Sequence, residues 1–316
     1  MPELPEVETI KRGLDSFILH QTIKSVEVFS DKSFIGPTQP IIGQKIIKLR
    51  RRGKALLIDL ENQVSLLIHL RMTGQLIFRR TGTEDGKELI KMIETGKFRS
   101  QSANQNTFAG GHPTSSFYAK LPNRQTRVLL KLSNGTLFFN DQRKFGFIKI
   151  LSTEEVEQDS FIKKLAKEPW QMTEQEFFKT LKRHAGANIK SVILDQHVIA
   201  GLGNIYADEA LFFAAIDPRS IAGELNLAQA SKLLEGAREV MQASIDSGGS
   251  TMATYVRADG TKGDYLEKFA KVFRREGQSC LRCGHEIAKI RVAGRGTHFC
   301  PNCQKLITKA KDKANA

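Results

Sequence analysis

Met1-Pro2-Glu3-Leu4-Pro5-Glu6-Val7-Glu8-Thr9-Ile10 opens the chain, and the rest of the sequence is read outward from it. Val7, Ile10, Leu14 and Phe17 recur at helical spacing, and Pro5 falls in the first turn, where its missing N–H costs a helix little. An opening helix is therefore expected. Removal of the initiator methionine would leave Pro2 as a free secondary amine, which can attack an electrophilic sugar carbon and pass directly to a charged iminium. The positive end of the helix dipole beside it disfavours a second positive charge and enlarges the neutral, nucleophilic fraction. Glu3 and Glu6 put two carboxylates next to that amine. A helix that simply begins with proline would read the same over these residues.

Beyond the helix the apolar period shortens. Strands are expected at Thr22–Val28, Ile46–Arg51, Ala55–Leu60, Val64–Leu70, Leu76–Phe78, Val128–Leu132, Thr136–Asn140 and Phe147–Leu151, with Asn134-Gly135 as a two-residue hairpin turn. Many short strands joined by polar turns suggest a β-sandwich. Between Arg79 and Gln125 the pattern dissolves into Gly, Ser, Asn, Gln and Thr. This stretch reads as a long surface loop or insertion, partly disordered, with a short helix around Glu88–Ile93.

From about Thr153 the period becomes helical. Thr173-x-x-Glu176 is a capping box ahead of Phe177, Phe178 and Leu181. Further helices are expected over Ile189–Gln196, Asn204–Phe213 and Leu227–Ile245, the last ending at Ser247-Gly248-Gly249. The second and third are linked by Ala200-Gly201-Leu202-Gly203-Asn204, whose glycines permit left-handed backbone and whose asparagine can cap the next helix. Exposed helix N-termini joined by such a turn can bind phosphate; an ordinary helical hairpin would look alike.

Cys280-x2-Cys283 and Cys300-x2-Cys303 are separated by 16 residues, the spacing of a four-thiolate zinc site with no open coordination position. One structural Zn2+ is expected. The 316-residue chain carries a formal charge of +14, which favours a polyanionic partner, nucleic acid first. No segment approaches the roughly 20 apolar residues of a membrane span, and no basic-then-apolar leader opens the chain, so a soluble, cytoplasmic or nucleoid-associated protein is expected.

The opening MPELPEVET, the Gly201-Leu202-Gly203-Asn204-Ile205-Tyr206 turn and the terminal finger, with Gly294-Arg295-Gly296-Thr297 ahead of Cys300-Pro301-x-Cys303-Gln304, occur in the order found in one family. The chain resembles formamidopyrimidine-DNA glycosylase over nearly its full length. The resemblance implies an α+β, multi-domain fold: an N-terminal β-sandwich with the opening helix over 1–152, a helical domain with a helix-two-turn-helix over 153–265, and a four-cysteine zinc-finger β-hairpin with a basic tail over 266–316. It implies a monomer that acts on damaged double-stranded DNA, removing oxidised purines and then cleaving the strand.

An enzyme of this kind must bend the duplex and extrude the damaged nucleotide. The resemblance assigns the vacated space to Met72, Arg143 and Phe145, with Lys144 beside them; an apolar wedge and an arginine that bonds the orphaned base are what unstacking requires. Pro2 becomes the nucleophile at C1′, Glu3 the proton donor and shuttle, Glu6 an orienting carboxylate, and Lys54 a group near the phosphate and the elimination step. Lys190, Asn204 and Arg295 are the implied phosphate contacts, Arg295 also assisting δ-elimination, and Ser250, Thr251 and Tyr255 belong to a lid over the lesion. The run Arg50-Arg51-Arg52 ahead of Lys54 reads equally as a solvated strand end.

Departures qualify the match. Asp141-Gln142-Arg143-Lys144-Phe145-Gly146 stands where the family often has Asp-Pro-Arg-Arg-Phe-Gly, and Leu165-Ala166-Lys167-Glu168-Pro169 replaces Leu-Gly-Pro-Glu-Pro. A basic or histidine DNA contact usual before the Val128 strand falls near Gln125. Two other readings stay open at this point: a pyrimidine-directed endonuclease VIII relative, and a catalytically silent zinc-finger DNA binder.

Overall fold

The computed structural model describes residues 2–82, 106–112, 119–249 and 265–309. The chain forms two compact units, Met1–Lys163 with Ser247–Asp264, and Lys164–Asp246 with Tyr265–Ala316.

The first unit starts with helix α1, Leu4–Ile18, which buries Val7, Ile10, Leu14, Phe17 and Ile18. Two five-stranded sheets follow. One has the order β1-β8-β9-β6-β7, formed by Ile23–Val28, Thr126–Leu132, Gly135–Asp141, Gly74–Arg79 and Thr107–Gly111. The other has the order β2-β10-β5-β4-β3, formed by Phe34–Ile35, Phe147–Ser152, Val64–His69, Ala55–Leu60 and Ile46–Arg52. All pairings are antiparallel except the short β2–β10 contact. One apolar core joins α1 to side chains of both sheets, among them Phe78, Val128 and Phe139 from the first and Leu56, Ile68 and Ile148 from the second. Alternation inward and outward along each strand places these residues on one face.

The structure departs from expectation between Arg79 and Gln125. Gly74–Arg79 is one full strand, and Thr107–Gly111 forms β7, so the stretch expected as loop carries an edge strand. Its sequence, Thr-Phe-Ala-Gly-Gly, has too few large apolar residues for a strand pattern; packing supplies the preference instead. A Cβ on Gly13 would lie 2.2 Å from the Phe108 ring, and one on Gly110 would lie 2.7 Å from Ile10. A mid-helix glycine, ordinarily unfavourable by about 1 kcal/mol, is what lets β7 press onto α1. The helix expected near Glu88–Ile93 lies outside the described residues.

The second unit carries α2, Glu174–Arg183, whose start is closed by Glu176 N–H donating to Thr173 Oγ1 at 3.2 Å and Thr173 N–H to Glu176 Oε2 at 2.9 Å. Helices α3, Ile189–Leu194, and α4, Asn204–Phe213, flank the Gly-rich turn, and α5 runs Leu227–Asp246. The finger contributes the hairpin β11, Ala288–Val292, and β12, Arg295–Phe299. Two expectations change. The second helix stops at Leu194 rather than Gln196, because the Gln196 amide staples the turn, donating to Leu202 O at 2.9 Å and accepting from Gly201 N–H at 2.9 Å. Gly203, not Asn204, is the N-cap of α4; Asn204 turns its amide outward to the finger.

Candidate functional site

In the first unit Pro2 and Glu3 are buried at the start of α1, Glu3 only 3 % exposed. The Glu6 carboxylate accepts the Glu3 N–H at 2.9 Å, which fixes how the chain enters the helix. The turn after β3 holds Lys54, buried at 6 % exposure, with Gly53 at φ +56°. Every arginine ahead of it has a carboxylate partner: Arg50 with Asp59 at 2.6 Å, Arg51 with Glu8 at 3.0 Å, and Arg52 with Glu157 at 3.9 Å. The basic run is therefore not a free solvated strand end. Arg51 also donates to Gly53 O at 2.9 Å, tying the Lys54 turn to Glu8 of α1.

Two loops stand at one end of the first sheet. Met72 is half-buried in the turn between β5 and β6, whereas Arg143, Lys144 and Phe145 are exposed after β9, Phe145 by 56 %. That exposure keeps Phe145 out of the core. Arg143 lies over the Phe145 ring at 4.9 Å. Arg71 and Lys144 hold left-handed backbone at φ +51° and +57°, where residues with side chains are strained.

One carboxylate gathers both loops. Asp141, fully buried, accepts from Arg143 N–H at 3.1 Å, Phe145 N–H at 2.8 Å, Gly146 N–H at 2.7 Å and, from the other loop, the Thr73 hydroxyl. Charge-assisted bonds of this kind hold otherwise strained turns in place. Sequence reasoning missed Asp141 as a site residue although it opens the Asp-Gln-Arg-Lys-Phe-Gly motif.

His69 was also missed. It ends β5, is 5 % exposed, and its Nδ1 accepts the Arg71 N–H at 3.0 Å, which leaves the proton on Nε2. Its ring stacks on Phe147 and meets Phe161 edge-on. Burial first, then the charges of Arg71 and Lys54, push its pKa down to about 3, so the imidazole is neutral. A lone titratable side chain closing an apolar strand was the available signal.

The start of the expected lid is described only to Gly249, where a Cβ would lie 3.6 Å from Thr9 Oγ1 and 3.8 Å from the Glu6 side chain. Ser250, Thr251 and Tyr255 lie outside the described residues.

In the second unit Lys190 is wholly buried, its ammonium 2.6 Å from Asp208 Oδ1, 2.7 Å from Thr297 Oγ1 and 3.3 Å from Gly296 O. Asp208 Oδ2 takes the His298 N–H at 2.9 Å, and Asn204 Nδ2 donates to Gly296 O at 2.9 Å. Lys190 and Asn204 thus grip the back of β12, while Arg295 stands exposed at its start, beyond a turn of Ala293 and Gly294 with positive φ at both positions. The ammonium assigned to DNA contact is occupied by protein groups.

The four cysteine sulfurs lie within 4.8 Å of one another, Cys280 to Cys303 at 3.9 Å and Cys283 to Cys300 at 3.5 Å. Sulfurs bound tetrahedrally to zinc at about 2.3 Å stand about 3.8 Å apart, so the set fits one Zn2+ with all four positions filled. Burial first, then the Cys283, Cys300 and Cys280 sulfurs, push the Cys303 thiol up to about 12. Thiolates this close need a dication to balance them, and the ion is structural.

Comparison with known proteins agrees with both units. The family profile "Formamidopyrimidine-DNA glycosylase N-terminal domain" matches residues 1–148, "Formamidopyrimidine-DNA glycosylase H2TH domain" matches 165–256, and "Zinc finger found in FPG and IleRS" matches 277–306. Proteins named formamidopyrimidine-DNA glycosylase from Pelotomaculum thermopropionicum and Desulfitobacterium hafniense are 38% and 36% identical, covering 97% and 96% of this chain and 100% of theirs. Among solved structures, a Lactococcus lactis Fpg mutant with Fapy-dG-containing DNA superposes with TM-score 0.78 at 32% identity, covering 96% of this chain and 100% of that one. The wild-type Lactococcus lactis protein with oxidised-pyrimidine-containing DNA gives 0.77 at 31%, covering 96% and 100%. Sequence, fold and metal centre agree, and the chain belongs to the formamidopyrimidine-DNA glycosylase family.

Proposed function

We propose that this protein is a base-excision repair enzyme that removes oxidised purines, 8-oxoguanine and formamidopyrimidines, from duplex DNA and then cleaves the strand. The observation that carries this reading is the buried Pro2-Glu3 pair at the N-terminus of α1, in a unit that also presents an exposed Arg143 and Phe145 on loops tied to the Met72 turn. Pro2 nitrogen attacks C1′ as the C1′–N9 bond breaks and the base leaves with a proton. Glu3 protonates the ring oxygen, opening the sugar and leaving an iminium on C1′. The iminium acidifies the C2′ proton; its removal expels the 3′ phosphate, and a second elimination expels the 5′ phosphate. Water then frees Pro2 from the sugar fragment.

Met72, Arg143 and Phe145, with Lys144 alongside, fill the space left by the extruded nucleotide. Lys54 and Arg295 bind the flanking phosphates and assist the eliminations, with Lys190 and Asn204 supporting Arg295 from behind. Ser250, Thr251 and Tyr255 close over the base. The protein acts as a cytoplasmic, nucleoid-associated monomer, and the zinc ion holds the finger in shape without touching the reaction.

Duplexes carrying either 8-oxoguanine opposite cytosine or an oxidised pyrimidine separate this reading from the endonuclease VIII alternative. Base release and β,δ-cleaved ends on the purine lesion are expected, with slower release of the pyrimidine. Turnover of the pyrimidine lesion alone would replace the proposal with the alternative; binding without any cleavage would favour the silent zinc-finger binder.

A further inference from the structure

His112 closes β7, the strand contributed by the stretch between Arg79 and Gln125. Its N–H donates to Gly74 O at 3.1 Å, and its own carbonyl accepts from the Gln75 side chain. Gly74 pairs with Asp141, and Asp141 N–H donates to Gln125 O at 2.9 Å. Gln125, Asp141, Gly74 and His112 therefore form one row across the end of the sheet. The Met72 turn leads into that row at Gly74, and the Arg143 loop leaves it at Asp141.

Gln125 occupies the place where the resemblance expects a basic or histidine contact to DNA, and it brings neither. His112 brings an imidazole to the same row, on the far side of the Met72 turn. We propose that His112 is a DNA-binding residue of this chain, donating a hydrogen bond to a phosphate of the strand held beside Met72.

The placement has three supports. Phe108 and Gly110 lock β7 against Gly13 and Ile10 of α1, the helix that Pro2 and Glu3 lead into, so the strand end is held at the same end of the unit as the nucleophile. The imidazole is half-buried, and its ring nitrogens take no part in the hydrogen bonds among the described residues. Burial holds its pKa below the ordinary histidine value, so at neutral pH it is uncharged and still has one N–H to give. Phosphate and sugar receive half to two-thirds of protein–DNA hydrogen bonds, which makes the backbone the expected acceptor at a rim position.

The inference rests on the DNA-repair reading above, and its test separates the two. Affinity of the zinc-loaded full-length protein is measured for a duplex with a tetrahydrofuran abasic analogue, alongside the same duplex with single methylphosphonates at phosphates flanking the analogue. His112→Ala is expected to weaken binding about tenfold to a hundredfold, the scale of one hydrogen bond to a charged group, and His112→Gln, which keeps a donor, to recover most of it. At one phosphate, methylphosphonate substitution should weaken the parent while leaving His112→Ala no weaker than before. Parental affinity in His112→Ala, or every methylphosphonate weakening parent and variant alike, overturns the His112 contact alone. Parent protein that binds abasic and intact duplexes equally contradicts the DNA-repair reading instead.

Discussion

The end of the first sheet and the back of the finger hairpin both present an arginine to solvent, and they do so by opposite means. Arg143 rides on a loop with left-handed backbone at Lys144, held by one buried carboxylate that accepts neutral N–H and hydroxyl donors. Arg295 rides on a regular two-residue hairpin whose rear is fixed by a buried ammonium, a buried carboxylate and a metal cluster. Strained turns suit the base-stack insertion proposed for Arg143, since their geometry departs from any regular element. A flat, bolted hairpin suits the phosphate grip proposed for Arg295. Hydrogen bonds to one carboxylate hold the first; a buried ion pair and a metal site hold the second, so the second should fail more abruptly.

Zinc removal tests the abrupt side first. Structural zinc contributes folding free energy outright, on the order of 10 kcal/mol or more in isolated fingers. Chelation, or Cys300→Ser at a fully buried ligand, should abolish DNA binding and remove the highest-temperature part of the melting transition; a finger that keeps its near-ultraviolet signal without zinc would break the contrast. Next, Lys190→Met leaves Asp208 buried without its cation and should cost about 3–5 kcal/mol by denaturant unfolding. Replacing both residues by apolar ones should recover part of that loss. An effect below about 1 kcal/mol would mean that the pair does not hold the hairpin.

The first sheet should respond more gently. His69 is neutral in the fold, with a pKa near 3 against about 6.5 unfolded, so protonation favours the unfolded chain as pH falls below about 6.5. Stability should drop by roughly 3 kcal/mol between pH 7 and pH 4 from this residue, and His69→Gln should flatten that part of the profile. Asp141→Asn exchanges a charged acceptor for a neutral amide and should cost about 2 kcal/mol. Its more telling effect should be relaxed discrimination of the base opposite the lesion, read as kcat/KM across the four opposite bases. Unchanged discrimination would show that the Arg143 loop keeps its shape without Asp141.

The sequence was most legible where spacing states chemistry. The four cysteines, the capping box at Thr173, the opening helix and eight of the strands follow from period and turn residues. It was least legible where a partner lies far along the chain. Lys190 stands as an implied phosphate contact until Asp208 and Thr297 close around it, and Arg50 to Arg52 read as a solvated strand end until Asp59, Glu8 and Glu157 are seen to pair with them. Strand β7 exists because Gly13 leaves room for Phe108, a fact that neither residue shows alone. Asp141 and His69 hide for a similar reason, since their work is to hold the loops that carry the more conspicuous Arg143 and Met72.

The reaction proposed above starts from the amine at the N-terminus of α1. Borohydride reduction of the protein mixed with a duplex carrying 8-oxoguanine opposite cytosine, followed by peptide mapping, tests that directly. The account predicts one covalent adduct on the Pro2 nitrogen, lost in Pro2→Gly and in protein with an uncleaved N-terminal tag. An adduct on a lysine, or an undiminished yield in Pro2→Gly, would contradict it.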